Sequence, residues 1–220
     1  MALSTQLINV MAALLLLIAF AMLAQRRILS LIHLYAWQGV VLAANGVIVG
    51  YSTGQTHLYY SALLTLVLKA ILLPWILHRL IIRLNIRWDV ETLINIPTTM
   101  LVGIALVVFS FNLAIPITEL AGTITRSTLG IAIAIVLLSL LMMITRRKAV
   151  PQVIGFLALE NGLFFAATST TYGMPLAIEL GMALDLLVGV LILGIFFFQV
   201  RDAFDSLDLS HMEKLKETEE

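Results

Sequence analysis

Runs of apolar residues, each long enough for a membrane helix and each bounded by polar or turn-forming residues, organise this chain from end to end. A hydrocarbon core about 30 Å thick needs roughly 20 apolar residues per helix. Such stretches lie at about 5–24, 30–50, 58–82, 97–117, 127–145, 150–170 and 175–200. They are separated by Gln25-Arg26-Arg27, Tyr51 to Gln55, Arg83 to Ile96, Pro116 to Arg126, Arg146-Arg147-Lys148 and Thr170 to Gly173. Backbone N–H and C=O groups find no water in lipid, so continuous spans of this length predict helices. The pattern therefore predicts an all-α polytopic membrane protein of about seven transmembrane helices. The first span has no basic residue before it and no small-residue cleavage motif after it, so it reads as a retained helix rather than a signal peptide.

Composition sharpens this reading. With 61% hydrophobic and 12% charged residues, the chain is too apolar for a water-soluble domain of its length. Basic and acidic residues balance at 13 each, so charge suggests no nucleic-acid partner. The absence of cysteine excludes disulfides and thiolate ligation of zinc or iron–sulfur clusters by this chain. No cofactor or metal site is expected, and any redox chemistry belongs to a partner.

The placement of charge matters more than its sum. In a seven-span arrangement Arg26, Arg27, Arg79, Arg83, Arg87, Arg146, Arg147, Lys148, Arg201, Lys214 and Lys216 fall on one side, and Arg126 alone on the other. Cytoplasmic loops accumulate lysine and arginine. The N-terminus is therefore expected outside, the C-terminus in the cytoplasm, and the chain in the cell's inner (plasma) membrane.

Spans one to three and five to seven match in layout. Each set has a basic first loop, a second helix with a central polar residue (Gln38 or Glu160) and a third helix with a central ionisable residue (Lys69 or Asp185). This divides the chain into a first three-helix unit (1–82), a linker and fourth transmembrane helix (83–126), a second three-helix unit (127–200) and an acidic tail (201–220).

An ionisable residue at the centre of a membrane helix costs about 2.5–3.5 kcal/mol on insertion scales, so Lys69, Glu160 and Asp185 together cost on the order of 8–10 kcal/mol. They need partners, water or a purpose. Asp185 continues a row of small residues (Ala177, Gly181, Gly189), and Lys69 continues a polar row with Ser61 and Thr65. Pro74, five residues beyond Lys69, is positioned to kink the third span and free a carbonyl near that row. Gln38 and Asn45 are seven apart and share a helix face. The bland reading of Lys69 and Asp185 is an ion pair between helices that fixes packing. Glu160 has no basic residue in its own span, which admits a neutral carboxyl. Gln38 and Asn45 suit helix–helix hydrogen bonding as well as a proton path, and His33 and His57 read as interfacial. The Arg83 to Glu91 segment, with Ile86 and Trp88, suits the membrane interface.

There is no Walker-type phosphate loop, dinucleotide-binding glycine fingerprint, zinc-protease motif or nucleophile elbow, which argues against a stand-alone catalyst. The segments Leu159-Glu160-Asn161-Gly162-Leu163 and Ala183-Leu184-Asp185-Leu186-Leu187-Val188-Gly189 resemble the second and third helices of the three-helix K-type subunit of respiratory complex I. That resemblance covers about 127–205. Over nearly its full length, including Gln38 and Lys69-Ala70-Ile71-Leu72-Leu73-Pro74, the chain is similar to component E of hydrogenase-4, an extended K-like subunit of membrane-bound hydrogenase and formate hydrogenlyase complexes. Asp185 departs from the complex I pattern, in which a glutamate is usual.

The resemblance implies two K-like repeats joined by one linking helix, in a non-redox membrane-arm subunit. Such a subunit would help couple oxidoreductase chemistry in partner subunits to proton or sodium movement. Glu160 and Asp185 would be protonatable relay sites, Lys69 a charge that tunes or passes the proton, and Gln38 and Asn45 supporting polar groups. Partners would be antiporter-like subunits, the subunit anchoring the peripheral arm, and the lipid bilayer. Two other classes stay open: a structural spacer with paired buried charges, and an independent ion transporter.

Overall fold

The computed structural model describes residues 2–83, 92–121 and 126–171. Helix α1 covers Ala2–Ala24 and α2 covers Ile28–Thr53. The next span is one continuous rod in three parts: α3 (His57–Thr65), a π-helical segment (Leu66–Leu72) and α4 (Leu73–Arg83). Helices α5 (Ile96–Ala121), α6 (Arg126–Thr145) and α7 (Ala149–Thr171) follow. Among the described residues these give six helices long and apolar enough to cross a membrane, consistent with a multi-pass membrane protein. The expected seventh span, Asp185 within it, and the tail from Arg201 lie outside the described residues, as does the 84–91 segment.

Local chemistry sets several helix ends. Helix α2 stops at Gly54, whose φ of 69° is a left-handed conformation open to glycine, and the Gly54 N–H returns to the Gly50 carbonyl. Helix α5 opens with Pro97, whose missing N–H costs nothing in a first turn. Its apolar span, Ile96–Pro116, agrees with the expected 97–117, and the helix itself continues through Pro116 to Ala121. One proline removes a single ladder bond, a loss that membrane helices tolerate when neighbouring groups satisfy the freed carbonyl.

The described helices pack as two layers of contact. Helix α1 lies against α2 and α6, and α2 against α3, the π segment and α7. Helix α5 covers α6 and touches α1. The corresponding helices of the two proposed units, α1 with α6 and α2 with α7, therefore face each other. Their shared core includes Leu15, Met22, Leu31, Tyr35, Ile135, Leu138, Ile154 and Leu157. Helix α5 turns Leu101, Ile104, Val108 and Phe109 outward, as an apolar helix does when lipid is its neighbour.

At the face carrying the basic loops, Arg146 departs from the solvated loop residue its sequence position suggests. It is 1% exposed. Its Nη2 donates to the carbonyls of Leu23 (2.7 Å) and Met22 (3.3 Å), satisfying acceptors in the last turn of α1. Burial lowers its pKa to about 10, which still leaves it charged at neutral pH. The Gln152 side chain donates to the Arg146 carbonyl at 2.8 Å, and the Leu93 N–H donates to the Thr145 carbonyl at 2.8 Å. The α6–α7 turn thus ties together the end of α1, the start of α7 and the strand of chain entering α5.

Candidate functional site

Lys69 sits in the π-helical segment, where a wider turn replaces the α-helical ladder; the Leu73 N–H reaches back five residues to the Leu68 carbonyl. Pro74 begins the next turn and has no N–H to return the chain to the α pattern. The structure places a π turn immediately before Pro74, with Lys69 inside that turn. Helix α2 comes very close here. A Cβ added at Gly39 would lie 3.1 Å from the Lys69 carbonyl carbon and from the Ala70 nitrogen, so glycine permits the two backbones to meet. Gly46 meets Ala62 and Gly50 meets Leu58 in the same way, which fixes α2 antiparallel to this span.

The Lys69 ammonium donates to both carboxylate oxygens of Glu160, at 2.8 Å to Oε1 and 2.7 Å to Oε2. It also lies over the Phe164 ring, 4.8 Å from the centroid. One turn of α7 therefore supplies a carboxylate and an aromatic face to one cation. The Lys69 side chain is 5% exposed and that of Glu160 18% exposed, so the cation is enclosed while the carboxylate keeps an open edge. Glu160 has no basic residue in its own span. Its partner comes from another helix, more than ninety residues away in sequence, where inspection of its own span could not find it.

Gln38 and Asn45 are both completely buried on α2. The Gln38 Oε1 accepts from the Asn161 Nδ2 at 3.2 Å, beside Glu160 on α7. The structure thus brings Lys69, Glu160, Gln38 and Asn161 together between α2, the π segment and α7. Ser61 and Thr65 are also buried, on the turns preceding Lys69. Asp185 lies outside the described residues. Among the remaining expectations, His33 is exposed and its ring Nδ1 lies 2.8 Å from the Leu29 carbonyl, while His57 is half-buried at the start of α3.

Sequence reading missed three residues of this site. Asn161 carries one signal in the sequence, its adjacency to Glu160 on a helix. Phe164, one turn beyond Glu160, looked like any core aromatic. Tyr35, fully buried and within electrostatic reach of Glu160, is one turn before Gln38 on the same stripe of α2. No group of three histidine or carboxylate side chains suited to a metal occurs among the described residues.

No protein-family model matches the chain, and no solved structure does. The chain is 32% identical over 194 residues to the uncharacterized protein Rv0085 of Mycobacterium tuberculosis, an alignment that covers 88% of each chain. At this identity over most of both chains, this chain belongs to the same family as the Mycobacterium tuberculosis protein.

Proposed function

We propose that this chain is a membrane-arm subunit of a group 4 hydrogenase of the hydrogenase-4 or formate hydrogenlyase type, or of a related complex I-like assembly. In this reading it helps move protons, or sodium, across the cell's inner membrane as partner subunits carry out redox chemistry. The chain has seven spans, an outer N-terminus and a cytoplasmic acidic tail. Its two K-like units, 1–82 and 127–200, flank the linker 83–126. Antiporter-like subunits and the subunit anchoring the peripheral arm are its neighbours.

The observation that carries the reading is the Lys69–Glu160 pair at mid-span, joining one unit to the other. A proton leaving the Lys69 ammonium for a Glu160 oxygen converts the ion pair into an amine and a carboxylic acid, with no net change in buried charge. The acid can then pass that proton on through the open edge of its carboxyl, with Asp185 as the next acceptor, while Lys69 takes up another. Intramembrane ionisable groups are rare because they are costly, and they recur where protons or ions move. The test is proton uptake into membrane vesicles driven by the intact complex, comparing wild type with Glu160→Gln and Asp185→Asn once assembly is verified. Pumping lost with assembly intact is expected; undiminished pumping in both variants would sink the relay.

The same pair also favours a second reading. A lysine satisfied by both oxygens of one carboxylate and seated on an aromatic ring has what a purely structural spacer requires. A spacer pumps equally well when the pair is replaced by apolar side chains of similar volume. A relay does not.

A further inference from the structure

Around the ion pair, α2 and α7 bury polar atoms that find no hydrogen-bond partner among the described residues: the Tyr35 hydroxyl, the Gln38 Nε2, both side-chain polar atoms of Asn45 and the Asn161 Oδ1. A buried polar atom without a partner loses its hydration and gains nothing in return, so five of them in one region weigh heavily against folding if the site is dry. Buried polar groups of native proteins are almost always satisfied, by ordered water where protein does not reach them.

The arrangement suits water in particular. The Gln38–Asn161 contact leaves one donor and one acceptor side by side, so a single water can accept from one and donate to the other. Turning both amides over exchanges the atoms but keeps the same count. Tyr35 and Gln38 are one turn apart. Asn45 is seven residues beyond Gln38, about 10 Å along the helix, on the same stripe. Gly46 packs on Ala62, so the Asn45 level of α2 is also the level of buried Ser61 and Thr65. Helix α7 runs parallel to α2, and the same seven-residue step from Asn161 reaches buried Thr168. Between the two polar levels the stripe carries one apolar residue, Leu42, which is 1% exposed.

We propose that α2 holds two groups of internal water, one at Tyr35, Gln38 and Asn161 and one at Asn45, on either side of Leu42. They approach the Lys69–Glu160 pair from the basic face and from the opposite face of the membrane. The polar stripe from Tyr35 to Asn45 covers about 15 Å, half of a 30 Å hydrocarbon core. This inference names the solvent route of the relay proposed above and rests on that reading for its purpose, while the presence of water is tested independently.

The chain has no cysteine, so one introduced thiol reports alone. The full-length protein in native membranes, carrying Asn45→Cys, Tyr35→Cys or the control Ala43→Cys, is exposed to silver ions. These reach thiols only through water-filled space. Thiols left unreacted are then counted, after denaturation, with a maleimide of fixed mass. Ala43 is buried at 5% exposure on a different side of α2, between the two water levels. Silver protection of positions 45 and 35 at concentrations at least about ten-fold below those needed at 43 is expected; equal protection at all three overturns the inference. Because Tyr35→Cys opens space, Tyr35→Phe provides a second measurement without a cavity. A hydroxyl bonded to water leaves the variant no more stable than wild type, whereas a dry, unsatisfied one makes it more stable and overturns the inference at that level. Silver access combined with undiminished pumping by Glu160→Gln means that the water is present and the relay reading fails. Pumping lost in Glu160→Gln with silver excluded means the reverse.

Discussion

A double-mutant cycle on the Lys69–Glu160 pair separates what the two buried charges contribute to folding from what they contribute to function. The perturbations are Lys69→Met, Glu160→Leu, and the double replacement Lys69→Met/Glu160→Leu. Lys69→Met leaves the Glu160 carboxylate without the ammonium that now bonds both of its oxygens. Removing one partner of a buried pair costs about 3–5 kcal/mol, because the remaining charge stays desolvated and uncompensated. Replacing both partners by apolar side chains of similar volume is close to neutral, since the desolvation penalty goes with the attraction. The side chains are 5% and 18% exposed, so solvent screening reduces these figures little on the lysine side and somewhat more on the carboxylate side. The expected coupling is at least about 1.5 kcal/mol. At about 2–4 °C per kcal/mol for a chain of this size, Lys69→Met alone lowers the unfolding midpoint by about 6–20 °C. The double variant recovers most of that loss. Midpoints can be followed in detergent by the fluorescence of the tryptophans, and the same membranes serve for proton uptake. Additive losses, with coupling under about 0.5 kcal/mol, would refute the pair as an energetic unit. A stable double variant that no longer pumps identifies a relay, and one that still pumps identifies a spacer.

Two further outcomes follow from the packing. Gln38→Leu removes the acceptor of the Asn161 amide and is expected to cost about 1–3 kcal/mol, with Gln38→Leu/Asn161→Leu less damaging than the single change. Thermal midpoints of the pair check this, and a double variant worse than the single contradicts it. Arg146→Met removes the donor to the Met22 and Leu23 carbonyls at the end of α1 and is expected to cost about 1–3 kcal/mol, part of it restored by Arg146→Lys. Hydrogen exchange confined to the last turn of α1 should rise in Arg146→Met; unchanged exchange there would show that the guanidinium does not hold that end.

The spans were legible in the sequence because their signal is strong and local: about 20 apolar residues, then polar punctuation. What the sequence hid was pairing at a distance. Glu160 looked unpartnered because its cation is on another helix, and nothing in either segment encodes their meeting. Arg146 and Arg147 are neighbours of the same type in one loop, yet the first is buried and the second exposed, a difference fixed only by where α1 ends. The acid expected in the second unit's third helix, Asp185, lies outside the described residues.

Pro74 shows a signal that was present and can be read further. Ser61, Thr65, Lys69, Leu73 and Leu77 recur every four residues and are all buried, at 3%, 5%, 4%, 1% and 1% exposure. In an α-helix of 3.6 residues per turn a four-residue step advances about 40°, so four such steps carry the last residue roughly 160° from the first, onto the opposite side. The five stay on the packed side because the π segment between Leu66 and Leu72 has more residues per turn and rotates the later positions back. Pro74 holds that turn in place, since it cannot supply the N–H that would bond to Ala70 and resume the α ladder. In Pro74→Ala that donor returns, the π turn relaxes toward α, and Lys69 rotates relative to Leu73 and Leu77. The lysine then cannot face Glu160 while the leucines remain in the core. The coupling between Lys69 and Glu160, measured by the same double-mutant cycle in the Pro74→Ala background, is expected to fall below about half of its value in the parent. An unchanged coupling would mean that packing against Gly39, rather than the missing donor at Pro74, fixes the lysine.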